Sequence, residues 1–182
     1  MHHILLNASA RILKYVLESI HDWSDIEEET LVSKFHSHRL IHLAAMPLLY
    51  EAYHDKAKRV LELMVDHKEL MQDKVINKGN RLGNTALHMV THYSNDRALI
   101  EKVLTVSNID PKQVNNDRLS PVHLAIDRDH HQSMLALLIY YMKPEEERDT
   151  DGMSMLERAV DKHSWACFYH LLQQAGTDWI DV

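Results

Sequence analysis

Apolar residues recur at steps of three and four along almost the whole chain, which is the spacing of one face of an α-helix. Residues 4–20 show this pattern first, and further helix-length segments of the same kind follow as far as residue 172. Glycine and proline number only four each, so few positions interrupt a helix. The sequence therefore predicts an all-α protein built from short helices.

One short motif occurs twice near the middle of the chain and a third time, less clearly, near the end. The copies begin at Thr85, Ser120 and Ser154, which are 35 and 34 residues apart, and a histidine follows the first two after three residues. A hydroxyl residue at this place is expected to cap the start of a helix, with Pro121 at the first helical position, where a missing N–H costs nothing. Each copy of the motif is therefore expected to begin a helix.

This period and this motif resemble the ankyrin repeat, whose Thr-Pro-Leu-His box recurs about every 33 residues. An earlier segment from Arg39 to Ala45 fits the end of the same box. The resemblance implies an ankyrin-repeat solenoid of stacked helix-turn-helix units with an N-terminal helical cap. It divides the chain into a cap or degenerate repeat at 1–36, a first repeat with an enlarged loop at 37–79, further repeats at 80–114 and 115–148, and a fourth repeat with the C-terminal tail at 149–182.

The resemblance also implies a structural role for the box histidines. His42, His88 and His123 are expected to hydrogen-bond the box hydroxyl and the backbone of neighbouring turns, which holds one repeat against the next. In the last copy Glu157 replaces the histidine, which leaves the corresponding bond open.

A turn is predicted before each of the last three repeats. Gly83 and Gly152 suit a backbone with positive φ, which glycine adopts without steric cost. The third repeat has Arg118 at the same place, so we expect that turn to use another geometry.

A partner-binding surface follows from the same resemblance. Ankyrin proteins usually hold their partner on the concave face, which the finger-like turns and the first helix of each repeat form. The matching finger positions are Arg81, Leu82, Asn84, Asn116, Asp117, Leu119, Thr150, Asp151 and Met153. The matching helix positions are His92, Tyr93, Asp127, Arg128, Asp161 and Lys162. The apolar and aromatic members are either partner anchors or side chains that turn against the neighbouring finger.

The net charge and the shortness of the apolar stretches argue against some other partners. The net charge of −7, without a face rich in lysine or arginine, argues against nucleic acid or an anionic membrane and favours a neutral or basic protein surface. No stretch approaches the roughly 20 apolar residues of a membrane-spanning helix. We expect the array to be monomeric on its own.

The single cysteine excludes an internal disulfide, and the chain start lacks the basic flank and long apolar run of a secretion signal. A cytoplasmic location is therefore expected. Similar short, divergent arrays include host-directed effectors of intracellular bacteria, so the host cytosol is a second possibility.

Fifteen histidines and one cysteine raise the alternative of a metal- or thiol-dependent enzyme. His88 and His92 have the four-residue spacing of zinc hydrolases, but the residue after His88 is a methionine where such a site needs a Glu base. Cys167 stands between two histidines that could activate a thiolate, yet its place in the repeat is an apolar helix position. The sequence thus predicts a non-catalytic protein-binding module that needs no metal or cofactor.

The end of the chain has two further features. Ile180 and Val182 resemble a C-terminal ligand for a domain that binds peptides at a sheet edge. Only residues 179–182 follow the last repeat, which is too few for a polar capping helix. The last repeat either keeps an exposed flank or lies inside a longer protein.

Overall fold

The computed structural model describes residues 40–45, 48, 51–66, 76–142 and 147–175. Within these ranges the helices are α1 Leu40–Ala45, α2 Glu51–Asp66, α3 Ala86–Tyr93, α4 Arg97–Leu104, α5 Pro121–Asp127, α6 His131–Leu138, α7 Met155–Asp161 and α8 Trp165–Ala175. None of the described residues belongs to a β-strand. The predicted N-terminal cap at 1–36 and the proposed C-terminal ligand lie outside the described residues.

The helices form four consecutive pairs that stack in two layers. The first helices α1, α3, α5 and α7 contact one another in chain order, and the second helices α2, α4, α6 and α8 do the same. Each pair therefore packs on its neighbours in sequence, as in a solenoid. The fold is the all-α solenoid that the spacing of the three boxes predicted.

The predicted capping residues begin the first helices. Thr85 precedes α3, and its side chain accepts a hydrogen bond from the His88 amide. Ser154 precedes α7 and forms a capping box with Glu157, which thus has a role within its own repeat. Pro121 is the first residue of α5. Local capping chemistry therefore sets where each unit starts.

One continuous apolar cluster runs through all four pairs, from Ile41 in α1 to Leu171 in α8. Fully buried members such as Leu61, Leu87 and Ile126 come from different pairs. Burying a side chain of this size contributes about 2 kcal/mol. Because the cluster is shared, no pair can bury its apolar face alone.

The three turns before α3, α5 and α7 share one backbone geometry. Gly83, Arg118 and Gly152 have φ values of 76°, 56° and 79°. The amide of each donates to the carbonyl three residues earlier, at 2.8, 2.9 and 3.2 Å respectively. The prediction that Arg118 uses another turn geometry is therefore wrong. The left-handed conformation costs a non-glycine residue roughly 1–2 kcal/mol, and the hydrogen bonds of the turn hold Arg118 in it.

The substitutions Gly83→Ala and Gly152→Ala separate the cost of this conformation from the cost of contact between turns. Both positions have nearly the same φ, so both variants should lose about 1 kcal/mol of stability. At Gly83 an added Cβ would lie 2.5 Å from Asn116 Oδ1 and 2.7 Å from its backbone nitrogen, whereas at Gly152 nothing lies within 4 Å. We expect urea unfolding to show a further loss of about 1–3 kcal/mol for Gly83→Ala alone. Equal losses would show that the turns do not approach each other closely.

Candidate protein-binding surface

The predicted finger residues lie on three turns with the same internal hydrogen bonds. We call residues 80–84, 115–119 and 149–153 fingers one, two and three. In each finger the side chain of the first residue accepts the amides of the third and fifth residues. These bonds are 2.9 and 3.1 Å at Asn80, 3.0 and 2.9 Å at Asn115, and 2.9 and 2.9 Å at Asp149. These hydrogen bonds hold the backbone of each finger in one conformation.

Fingers one and two are joined through Asn116. Its amide donates to the Leu82 carbonyl at 3.0 Å, and its side-chain nitrogen donates to the Arg81 carbonyl at 3.0 Å. The side chain of Asn115 also donates to Asn84 Oδ1 at 2.7 Å. Two of the predicted site residues, Asn84 and Asn116, thus hold neighbouring fingers together.

Fingers two and three are joined by the Thr150 hydroxyl, which donates to the Asp117 carbonyl at 2.7 Å. The side chains of Arg81, Leu82, Asp117 and Asp151 remain exposed at the tips. Leu82 is 60% exposed and is the most exposed large apolar side chain of the three fingers. The fingers therefore present one apolar tip among charged neighbours.

A box histidine connects finger two to the helix pair before it. His88 Nδ1 accepts the Thr85 amide at 3.2 Å, so the neutral ring carries its proton on Nε2. That nitrogen donates to the carbonyl of Leu119 at 2.9 Å. Burial lowers the pKa of His88 to about 4, which keeps the ring neutral at pH 7. The inter-repeat role implied for His88 is confirmed, and we call this contact the box joint.

The same joint is incomplete at His123. Its Nδ1 accepts the Ser120 amide at 3.1 Å, as in the preceding repeat. Its buried Nε2, however, has no hydrogen-bond partner among the described residues. For His123 the predicted bond to the next repeat is therefore wrong within this part of the chain. His42 is fully buried, and its bonds stay a prediction.

Arg158 replaces the missing joint between the third and fourth helix pairs. Its Nε and Nη2 donate to the two carboxylate oxygens of Asp127, both at 2.7 Å, and its Nη1 donates to Asp149 at 2.6 Å. The side chains of Arg158 and Asp149 are 5% and 0% exposed. Asp127, a predicted partner-binding residue, is thus engaged inside the array.

The other predicted helix positions are partly engaged as well. Arg128 donates to His92 Nε2 at 3.2 Å, and burial followed by the charge of Arg128 lowers the pKa of His92 to about 4. Tyr93 is half-buried against the core, and its ring meets His92 edge to face at 4.8 Å. Asp161 and Lys162 are exposed and pair with each other at 2.8 Å. Among these predicted positions Arg128, Asp161 and Lys162 are therefore the exposed ones, and Arg128 and Lys162 directly follow α5 and α7.

The described residues offer little to the enzyme alternative. His92 Nε2 already receives the Arg128 guanidinium, and across the described ranges no three His, Cys, Asp or Glu side chains converge on a possible metal site. Cys167 is fully buried. Burial and the nearby Asp129 carboxylate raise the pKa of its thiol, whereas a reactive thiolate needs a lowered one.

Sequence reasoning missed Arg158 and Asp149, although one signal was present. The position of Arg158 is occupied by Met89 in the second repeat and by a leucine in the third. The position of Asp149 is occupied by Asn80 in the second repeat and by an asparagine in the third. The Asn80 side chain contacts the Met89 sulfur at 3.8 Å, so the two positions are neighbours. A joint change to arginine and aspartate at neighbouring positions indicates an ion pair.

The stacked helix pairs, capped fingers and buried imidazole define a helix-pair solenoid. Comparison with solved structures identifies the kind of solenoid. The chain is similar to the ankyrin repeat domain of Bcl-3, titled a unique member of the IkappaB protein family, with a TM-score of 0.65 and 17% identity over 94% of this chain and 69% of that chain. The protein therefore has the ankyrin-repeat fold.

Neither protein-family models nor curated proteins provide a match to the sequence. Over the ranges described, no helix has both the length and the apolar character needed to cross a membrane.

The substitution Asp149→Asn tests the ion pair between Arg158 and Asp149, which replaces the box joint between the third and fourth helix pairs. Burial opposes the charge of Asp149, but Arg158 and the amides of Met153 and Asp151 hold the pKa of its carboxyl below the ordinary value. A carboxylate of this kind stabilises the fold above its unfolded pKa and loses that contribution as the pH falls through the folded pKa. We expect Asp149→Asn to cost about 2 kcal/mol in urea unfolding at pH 7, and progressively less towards pH 3.

The control is Asp161→Asn, because Asp161 forms an ion pair with Lys162 that is open to solvent. We expect no measurable change for this variant at either pH. If Asp149→Asn cost the same at both ends of the pH range, the charge of Asp149 would have no part in the junction.

Proposed function

We propose that this chain is a non-catalytic protein-binding module that holds a partner protein on its fingers and first helices. The observation that carries this proposal is Leu82, which is 60% exposed although its amide donates to Asn80 and its carbonyl accepts the Asn116 amide. A large apolar residue held in water by a rigid turn gains by burial against a partner. Because the finger is ordered beforehand, binding costs little conformational entropy.

The surroundings of Leu82 support the same proposal. The tips of the three fingers carry Arg81, Asp117 and Asp151, all exposed, and Arg81 is next to Leu82 in the chain. An apolar anchor on a surface that is otherwise polar is a common composition of a protein-binding site. The net charge of −7 favours a neutral or basic protein surface over nucleic acid as the partner.

We assign two roles within the proposed surface. Residues that contact the partner directly are Arg81, Leu82, Asp117, Arg128, Asp151, Asp161 and Lys162. Residues that hold this surface in place are Asn84, His92, Tyr93, Asn116, Asp127 and Thr150. Leu119 and Met153 are half-buried at the finger bases and contribute edges rather than anchors.

The biological setting follows from the same features. A module without chemistry of its own acts as an adaptor, inhibitor or effector, according to what it holds. The single buried cysteine suits a reducing compartment, so we propose a cytoplasmic location. We also propose that the protein is monomeric without its partner.

The substitution Leu82→Glu tests the proposal, with Met142→Glu as the matched control. Met142 is 98% exposed and lies outside the proposed surface. In a quantitative cross-linking pull-down with the full chain, Leu82→Glu should reduce capture of the partner about tenfold or more, because a charge replaces the anchor. Met142→Glu should capture as the unmodified chain does.

Urea unfolding provides the check on folding. Both substitutions replace exposed side chains, so both midpoints should stay unchanged. Tyr93 and Leu119 are unsuited to this test because both are half-buried. Equal capture by Leu82→Glu and the unmodified chain would refute the proposed site.

A further inference from the structure

Three histidines bridge the junction between the second and third helix pairs. Each uses a ring nitrogen in a hydrogen bond to a residue of the other repeat, between 31 and 39 positions away along the chain. His88 and His92 belong to α3, and His130 directly precedes α6. We call these three residues the bridging histidines.

The junction between the third and fourth pairs has other side chains at the three corresponding places, which are occupied by His123, Asp127 and Ser164. His123 forms no bond to the fourth pair among the described residues. Asp127 binds Arg158, and the Ser164 hydroxyl donates to the Ile126 carbonyl. A serine hydroxyl does not titrate, and an aspartate ordinarily titrates near pH 4 (about 3.9). The bonds across the two junctions therefore respond to different ranges of pH.

The ring of His88 resists a second proton because both of its nitrogens are already used. Its Nδ1 accepts the Thr85 amide at 3.2 Å, so a proton on that nitrogen would face another N–H. The side chain is fully buried, and burial is the main cause that lowers its pKa to about 4. The Leu119 carbonyl and the more distant Asp110 oppose this effect, whereas His123 on α5 adds to it.

The ring of His92 is held neutral by a cation. Nε and Nη2 of Arg128 lie 3.2 and 2.6 Å from His92 Nε2, which accepts from them. An imidazolium has no acceptor, so protonation would remove both bonds and leave two cations in contact. Burial, then Arg128 and then His130 lower the pKa of His92 to about 4. Asp127 opposes them, but its carboxylate is paired with Arg158.

The third bridging histidine, His130, donates from Nδ1 to the Thr91 carbonyl at 3.0 Å. A second proton would therefore enter at Nε2. Burial lowers the pKa of His130, and Arg128 and His131 lower it further, while the Thr91 carbonyl and Asp129 oppose them. Protonation of His130 would thus add positive charge beside Arg128.

The other helices that pack on α3 do not offset such charge. The one titratable side chain of α1 is His42, which is fully buried. The charged residues of α4 are Arg97, Glu101 and Lys102. Glu101 is paired with Arg97 at 2.7 Å, and Lys102 is paired with Asp66. Neither helix therefore contributes an unpaired carboxylate to the junction.

We propose that the junction between the second and third helix pairs is an acid-sensitive element, which is closed while the bridging histidines are neutral and opens as they take up protons in mildly acidic solution. A histidine with a lowered folded pKa stabilises the closed state fully above its unfolded value of about 6.5. That contribution is lost as the pH falls from there towards the folded value. The pKa of Asp149 is lowered instead, so the ion pair of the next junction keeps its contribution until the pH is more acidic.

Opening of this junction would also separate fingers one and two. Asn116 donates to the Leu82 and Arg81 carbonyls, and Asn115 donates to Asn84, so these bonds cross the same junction. The candidate surface would then divide between Leu82 and finger two. This consequence for a partner rests on the proposed function, whereas the junction itself can be tested without a partner.

The substitution His92→Gln tests the proton uptake, because glutamine keeps an acceptor for Arg128 and does not titrate. Urea unfolding of the full chain gives the folding equilibrium constant at pH 7.5 and pH 5. The two chains should have similar midpoints at pH 7.5. On going to pH 5, the constant of the unmodified chain should fall about tenfold or more beyond that of His92→Gln. His130→Asn, which keeps a donor for Thr91, is a second variant that should also reduce the fall.

The matched control is His170→Gln at the next junction. The half-buried ring of His170 stacks on His131 between α6 and α8, with 4.9 Å between the centroids. It forms no hydrogen bond within the part of the chain that the structure describes, so its protonation breaks none. The pH dependence of His170→Gln should therefore match that of the unmodified chain. A reduction as large as that of His92→Gln would overturn the inference.

Amide hydrogen exchange, followed by NMR and corrected for the intrinsic rate, shows where the array opens. The Gln132 amide donates to Asn95 Oδ1 at 2.8 Å across the second and third pairs. The Cys167 amide donates to Asp129 Oδ1 at 2.9 Å across the third and fourth. Between pH 7.5 and pH 5 the Gln132 amide should lose about tenfold more protection than the Cys167 amide.

Two further results would overturn the inference. The stability of His92→Gln and His130→Asn could fall with pH as that of the unmodified chain does, which would show that the bridging histidines take up no protons on opening. The Gln132 and Cys167 amides could lose protection equally, which would show that this junction is not the one that opens. None of these results depends on Leu82, so failure here is separate from failure of the finger surface.

Discussion

A neutral imidazole buried between two helix pairs is the contact on which the array and its candidate surface both depend. His88 commits Nδ1 to the amide of Thr85, so its proton lies on Nε2 and reaches the carbonyl of Leu119. That carbonyl closes finger two by accepting the amide of Asn115 at 2.9 Å. One ring therefore ties a helix start, the next repeat and a finger together, and the ring does so only while it is uncharged.

The third and fourth pairs are joined by an ion pair instead of a histidine hydrogen bond. Among the described residues, His123 forms hydrogen bonds only within its own repeat. Arg158 instead binds Asp127 of the third repeat and Asp149 of the fourth. An ion pair removed from water is costly to form and still more costly to break on one side. Because both carboxylate oxygens of Asp127 bind Arg158, this side chain is already paired within the array. The proposed binding surface is therefore limited mainly to the finger tips, where Leu82 is an exposed apolar residue.

The helix pairs were predictable because capping and periodicity act locally. Thr85, Ser120 and Ser154 start helices through bonds to residues only three positions away. Arg118 misled the prediction because its positive φ is imposed by the hydrogen bonds of the finger and not by its own preference. Asp127 could not be assigned from local sequence, since its partner Arg158 lies 31 residues away. The sequence thus left the Arg158–Asp127 ion pair open, whereas the box motif had already marked the His88 contact across a repeat boundary.

The protonation of His88 tests the central claim most directly. Nitrogen-15 NMR of the imidazole rings between pH 7.5 and 5 reports both the charge and the tautomer. Because burial lowers the pKa of His88 to about 4, its ring should stay neutral with the proton on Nε2 throughout, coupled across the hydrogen bond to the Leu119 carbonyl. A ring that titrates near its ordinary pKa of about 6.5, or that carries its proton on Nδ1, would contradict the account.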